Sequence, residues 1–148
     1  MPAIVVYIDG LCEPANPGGT ATYGYVVRNM TETEVVRRSG VVGHGPKMSN
    51  NVAEYAALCE TLNFLANERL TLLPTEIRSD SRLLVNQMNG NWKVHKGLYV
   101  QKYLEAKDLA GRFDRITFKW IPREDNEEAD ALSRVAYSEA TSLAKRRD

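Results

Sequence analysis

Ile4-Val5-Val6-Tyr7-Ile8-Asp9-Gly10 sets the reading of this chain. Five apolar residues in a row suit a strand covered on both faces in the interior of a sheet, and such a run has no packing reason to end in a carboxylate. Asp9 is expected where the strand stops. In open sheets flanked by helices, the loops at the carboxyl ends of central strands leave a crevice in which ligands bind. An Asp-Gly hairpin turn is the plain alternative. It is weakened by Leu11-Cys12-Glu13-Pro14-Ala15-Asn16-Pro17-Gly18-Gly19, which reads as a long loop and not as a two-residue connection. The question becomes which other acids the fold could bring to Asp9.

Further along, Tyr23 to Arg28 and Glu34 to Val42 read as two more strands, antiparallel neighbours of the first, with Thr31-Glu32-Thr33 as a hairpin tip. Ser49-Asn50-Asn51 supplies cap-type residues before a helix reaching about Asn67. Within that helix Glu54 shares a stripe with Leu58, Leu62 and Leu65, so its carboxylate points toward the core and needs a cation, a metal or a hydrogen-bond network. A first-turn Glu favoured by the helix dipole is the competing explanation. A short strand, Thr75 to Ser79, again ends in an acid, Asp80, which an N-cap role before the helical Leu83–Met88 would also explain. Asn91-Trp92-Lys93-Val94-His95-Lys96 is an aromatic and basic connector, followed by a helix from about Leu98 to Gly111. The last strand, Ile116 to Ile121, stops at Pro122, and a C-terminal helix follows with a stripe of Ala129, Leu132, Ala136, Ala140 and Leu143. Most acids of the Glu124–Glu128 run read as solvated, whereas Asp130 borders the apolar stripe. Residues from about 143 to 148 read as a frayed tail.

The chain has 148 residues, which fits a single domain over 1–148 that needs no disulfide or metal staple. Its 19 basic and 19 acidic residues cancel, so nucleic-acid binding would have to come from local patches. Two cysteines are too few for a secreted disulfide scaffold, and Cys59 falls in a helical pattern that suits a small buried thiol. No apolar run approaches the ~18 residues of a spanning helix, and no signal-peptide pattern opens the chain. A cytoplasmic, non-membrane, monomeric protein is expected.

The element order predicts an α/β fold: a mixed sheet with its first three strands antiparallel and the remainder parallel, flanked by helices. Asp9 and Asp80 then end neighbouring strands, and flanking helices bring Glu54 and Asp130. With no Lys or Arg read inside these four motifs, four carboxylates sharing a crevice call for divalent cations. Oxygen donors without His or Cys favour Mg²⁺ or Mn²⁺ over zinc. Two such ions can clamp an in-line phosphoryl displacement, which predicts a phosphodiesterase.

Asp9-Gly10, Asn16-Pro17-Gly18-Gly19, Ser49-Asn50-Asn51-Val52-Ala53-Glu54, Ser79-Asp80-Ser81, Asn91-Trp92-Lys93 and Asn126-Glu127-Glu128-Ala129-Asp130-Ala131-Leu132-Ser133 occur in an order that resembles the type 1 ribonuclease H family over nearly the whole chain. The resemblance implies a ribonuclease H-like fold with a five-stranded mixed sheet, and cleavage of the RNA strand of RNA/DNA hybrids to 5′-phosphate and 3′-hydroxyl ends. It implies Asp9, Glu54, Asp80 and Asp130 as ligands of two Mg²⁺ or Mn²⁺ ions in the presence of substrate. It also places Gly10 in the substrate site, Asn16 and Asn50 at the hybrid minor groove, where 2′-hydroxyls are displayed, and Asn51 toward the DNA strand. Lys47, Ser49 and Asn91 match a pocket for a DNA phosphate, and Trp92 a groove along the DNA. A core or rim-packing role for Trp92 and a solvated surface for Lys47 are the plainer readings. Double-stranded RNA or DNA is the alternative substrate, and a hybrid-binding module without strong catalysis the alternative class. Two departures stand out. Relatives with a longer loop after the last strand carry a histidine there, whereas this chain has Ile121-Pro122-Arg123-Glu124-Asp125, leaving Arg123 to hold the scissile phosphate or form a surface ion pair. The connector after Trp92 is also too short for the basic protrusion of some relatives.

Overall fold

The computed structural model describes residues 2–30 and 35–147, with side chains described through Leu143. The expected hairpin tip, Thr31-Glu32-Thr33, lies outside the described residues. In chain order the elements are β1 (Ile4–Glu13), β2 (Thr20–Asn29), β3 (Val35–His44), α1 (Asn50–Asn67), β4 (Thr75–Ser79), α2 (Arg82–Met88), α3 (Val100–Ala110), β5 (Ile116–Trp120), a 3₁₀ turn (Arg123–Asp125) and α4 (Glu127–Arg147). The strands form one sheet in the order β3-β2-β1-β4-β5. β1 is antiparallel to β2 and β2 to β3, while β1–β4 and β4–β5 are parallel, as the element order predicts.

β1 is longer than its sequence suggests. It passes through Asp9 and Gly10 to Glu13, because β2 continues to pair with it as far as Glu13↔Thr20. The parallel ladder with β4 ends earlier, at Ile8↔Ser79. Asp9 is therefore not a strand terminus, and Leu11-Cys12-Glu13 is strand and not loop. Asp9 and Asp80 are the first residues beyond the point where β1 and β4 part, so the crevice forms inside a continuing strand.

Side chains alternate across β1. Ile4, Val6 and Ile8 face the main core with Val52, Leu58, Leu62 and Leu65 of α1, all buried. On the helical layer behind, a buried polar network joins α1 to the connector. The Tyr55 hydroxyl donates to Gln87 Oε1 at 2.7 Å, and Gln87 Nε2 donates to the Tyr99 hydroxyl at 2.9 Å and to the Lys93 carbonyl at 3.3 Å. Buried amides keep such partners because an unmade hydrogen bond costs about 1–3 kcal/mol.

The opposite face of β1 and β2 is covered by α4, which places buried Ala129 and Ala136 against it. Leu143, expected on the apolar stripe, is exposed because the sheet no longer lies beneath that end of the helix. The helix itself extends to Arg147. Glu128, expected to be solvated, bridges Arg28 of β2 and Arg37 of β3 and pins the start of α4 to the sheet. Cys12 and Cys59 are both buried free thiols. Among the described residues, no helix is long and apolar enough to cross a membrane.

Candidate active site

Two glycines bring the helices to Asp9. A Cβ on Gly10, the next residue in β1, would lie 2.5 Å from the backbone nitrogen of Glu54, so α1 can pack against the strand only where the side chain is missing. Gly24 is the β2 partner of Asp9. A Cβ there would lie 2.5 Å from the Ala129 carbonyl oxygen and 2.8 Å from the Ser133 nitrogen of α4. Glycine inside a strand marks such close backbone approach, and here the two approaches deliver Glu54 and Asp130 to the same carboxylate.

Asp9 is 6 % exposed, and its Oδ1 accepts from the Gly10 N–H at 2.9 Å. Ser49 caps α1 by accepting from the Val52 N–H, which fixes the first turn carrying Glu54. Glu54 is half-buried as a residue, yet its Oε2 is shut off from solvent with no hydrogen-bond donor. The cap of α2 is Ser81, whose hydroxyl accepts from the Leu84 N–H. Asp80 is thus not the cap that its position suggested, and its carboxylate turns into the crevice. Asp9, Glu54 and Asp80 each offer an oxygen within 4.8 Å of the others.

Asp130 lines the same cavity of about 200 Å³, together with Asp9, Gly10, Glu13, Asn50, Glu54, Asp80, Arg123 and Arg134. It stands outside the tight group of three, and Arg134 Nε donates to both of its oxygens at 3.2 Å. The absence of basic residues read from the motifs is thereby corrected: Arg134 follows Asp130 by one helical turn, and Arg123 reaches in from the 3₁₀ turn. A larger hollow of about 490 Å³ lies between Tyr7, Arg28 and the Glu124–Glu128 run, where Arg28 and Glu128 already neutralise each other.

The acids repel one another. Burial above all, then the Asp80 charge and the contact with Asp130, pushes Asp9 up to about 8. Glu54 is held well above the ordinary carboxylate range by burial and by the charges of Asp9 and Asp80. Asp80 is also raised by burial, opposed by the Asn126 amide and the Arg123 charge. Protons or cations must compensate such a cluster. The donors are carboxylate oxygens from three elements, one is left without a partner, and no His or Cys joins them, so the residues fit a hard divalent cation.

The remaining expected residues divide. Asn16 Oδ1 accepts from the Asn50 N–H at 2.9 Å, and Asn50 Oδ1 accepts from the Cys12 N–H at 2.8 Å. These two amides lock the loop after β1 to the start of α1 and use their carbonyl oxygens to do so. Asn51 and Lys47 are exposed beside them, while the Ser49 hydroxyl accepts at the cap and keeps its own O–H to donate. Asn91 and Trp92 sit in the connector after α2, where both N–H groups donate to the Asn86 carbonyl, and Trp92 is 47 % exposed, so it is not a core residue. Asn126 was missed as a site residue. It is 1 % exposed, donates to the Ile8 carbonyl at 2.8 Å, and its amide lies 3.4 Å from Asp80 Oδ2, fastening the parting strands β1 and β4. An Asn just before the last acid-bearing helix is a signal that a cap assignment alone conceals.

A five-stranded mixed sheet, helices on both faces and acids gathered where β1 and β4 separate define a ribonuclease H-like domain. The chain belongs to the reverse transcriptase-like family, whose profile matches residues 8–136. It is 35% identical over 142 residues to the bifunctional protein Rv2228c of Mycobacterium tuberculosis (strain ATCC 25618 / H37Rv), covering 95% of this chain and 37% of that protein. The chain thus spans little more than a third of the length of that curated relative. The solved N-terminal RNase H domain of Rv2228c, fused to maltose binding protein, superposes with a TM-score of 0.83 at 34% identity, covering 97% of this chain and 99% of the other. LC11-RNase H1 in complex with an RNA/DNA hybrid superposes with a TM-score of 0.82 at 33% identity, covering 93% and 99%.

Proposed function

We propose that this chain is a ribonuclease H that hydrolyses the RNA strand of RNA/DNA hybrids with Mg²⁺ or Mn²⁺, leaving 5′-phosphate and 3′-hydroxyl ends. The observation that carries the reading is the convergence of Asp9, Glu54 and Asp80 within 4.8 Å, with one sealed oxygen of Glu54 lacking any donor. Asp9, Glu54 and Asp80, joined by Asp130, would hold two ions. Bound there, the ions would supply an activated water and stabilise charge on the leaving oxygen of an in-line displacement.

The chain's own residues then orient the substrate. The carbonyl oxygens of Asn16 and Asn50 are occupied, which directs their amide N–H₂ donors outward to acceptors such as 2′-hydroxyls and minor-groove base edges. Asn51 extends this surface toward the DNA strand, Lys47, Ser49 and Asn91 serve a DNA phosphate, and Trp92 offers an exposed ring along the DNA. Arg123 lines the acid cavity and is the cation placed to meet the scissile phosphate. Gly10 lets α1 close on β1, which brings Glu54 to the other acids. The hybrid complex of LC11-RNase H1 supports the substrate class.

Labelled hybrid, RNA duplex and DNA duplex incubated with Mg²⁺, then with EDTA, test the reading. Cleavage confined to the RNA of the hybrid, and abolished by EDTA, is the expected result. An intact hybrid at every Mg²⁺ and Mn²⁺ concentration would refute it, and equal cleavage of the RNA duplex would replace the substrate assignment.

A further inference from the structure

Arg134 lies one turn beyond Asp130 on α4, and its guanidinium faces two acids from different elements. Its Nε donates to both oxygens of Asp130 at 3.2 Å, and its Nη1 stands 3.8 Å from Oε1 of Glu13, at the end of β1. Arg134, Asp130 and Glu13 all line the cavity that holds Asp9, Glu54 and Asp80. An ordinary i,i+4 pair on an exposed helix face involves no third partner and no neighbouring acid cluster. Here one of the two anions held by the guanidinium is an acid of the candidate metal centre and the other is not.

We propose that Arg134 is a positioning residue that competes with the divalent cation for Asp130, and that Glu13 is the alternative anchor to which its guanidinium turns when the cation takes Asp130. The inference rests on the metal-dependent reading above. Arginine remains charged at every working pH, so on leaving Asp130 its half-exposed guanidinium is met by water or by another anion, and Glu13 is the anion at hand. Glu13 is within reach of a side-chain rotation and ends a strand paired to β2 as far as Glu13↔Thr20. The pair Arg134–Glu13 therefore sets how readily Asp130 is released, and with it the concentration of metal that the site requires.

The test uses Mn²⁺ alone, with free ion followed by electron paramagnetic resonance, on the wild type, Arg134→Gln, Glu13→Gln and the double variant, with the Mg²⁺ dependence of hybrid cleavage measured alongside. Both side chains are about half exposed, so the variants fold, which thermal melts verify. Arg134→Gln is expected to tighten Mn²⁺ binding about two- to fivefold, the scale of an exposed ion pair. Glu13→Gln is expected to weaken it about twofold, and the double variant to bind like Arg134→Gln alone, since Glu13 acts through the arginine. An undiminished Glu13 effect in the double variant, or no tightening in Arg134→Gln, overturns the proposal while leaving the nuclease reading intact. A wild type that neither binds Mn²⁺ nor cuts hybrid overturns both.

Discussion

Asp80 is free to serve the crevice because Ser81 performs the capping of α2. Asp80→Asn is therefore expected to reduce hybrid cleavage by orders of magnitude while shifting the melting temperature little; near-normal turnover would remove Asp80 from the metal centre. A linked expectation concerns pH. Folded Asp9 keeps its proton to about 8, against 3.8 for an ordinary Asp, so the folded chain binds more protons than the unfolded chain in that window. Stability must then fall as pH rises through it. In EDTA, the melting temperature should decline between about pH 4 and about pH 8, and added Mg²⁺ should protect most at the alkaline end. A profile that is flat in EDTA would show that the acids are not mutually strained. At this scale the sequence was informative about the acids and silent about their partners. A buried carboxylate on an apolar stripe announces itself, as Glu54 does, but Arg134 looks like any polar residue on the outer face of a helix until the end of β1 is placed beside it. The sequence leaves Asp80 open to both roles for a related reason: Asp80 and Ser81 are both good caps, and only the backbone geometry selects between them.

The elements meet through absences of side chain. Gly24→Ala would place a methyl group against the backbone of α4, and neither strand nor helix backbone can yield locally. Overpacking of this kind costs about 1–3 kcal/mol. The variant should lower the unfolding free energy by that amount, read as a lower denaturant midpoint at unchanged m, and, where still folded, lose activity because Asp130 is carried outward with the helix. A variant as stable and as active as the wild type would show that the sheet and α4 adjust freely. The order and type of the elements could be read from periodicity and caps, and β4 from Thr75 to Ser79 was found at its observed limits. The lengths of β1 and β2 could not. Pairing across a ladder is a property of two segments, and Asp9-Gly10 looks like an ending unless Gly24 is known to lie opposite. The exposed Leu143 teaches the same lesson at the other end of the chain, since a stripe is buried only as far as there is sheet beneath it.

The molecule as a whole carries no excess charge, with 19 basic and 19 acidic residues. Its candidate phosphate-facing cations are few, Lys47, Lys93, Lys96 and Arg123, all exposed. Each phosphate neutralised contributes about 0.9 to the slope of log affinity against log salt on B-form DNA. A slope of magnitude about 2 to 4 is expected for hybrid binding in Ca²⁺ or with Asp80→Asn. A slope near 10 would require a basic surface that the described residues do not display. The neutral total was plain from composition, and the resemblance already set acids at the crevice and amides at its rim; the fold adds that the Asn16 and Asn50 carbonyl oxygens are tied to backbone N–H groups.

The extension of β1 beyond Asp9 has a consequence for how such a domain can diversify. The first acid is riveted into a ladder on both its upstream and downstream sides, whereas Asn16, Lys47, Asn91, Trp92 and Arg123 ride on the Pro14–Gly19 turn, the residues before α1, the connector after α2 and the 3₁₀ turn. Insertions or deletions in those connections leave Asp9 in register, while Asn50 and Asn51 open the same helix that carries Glu54.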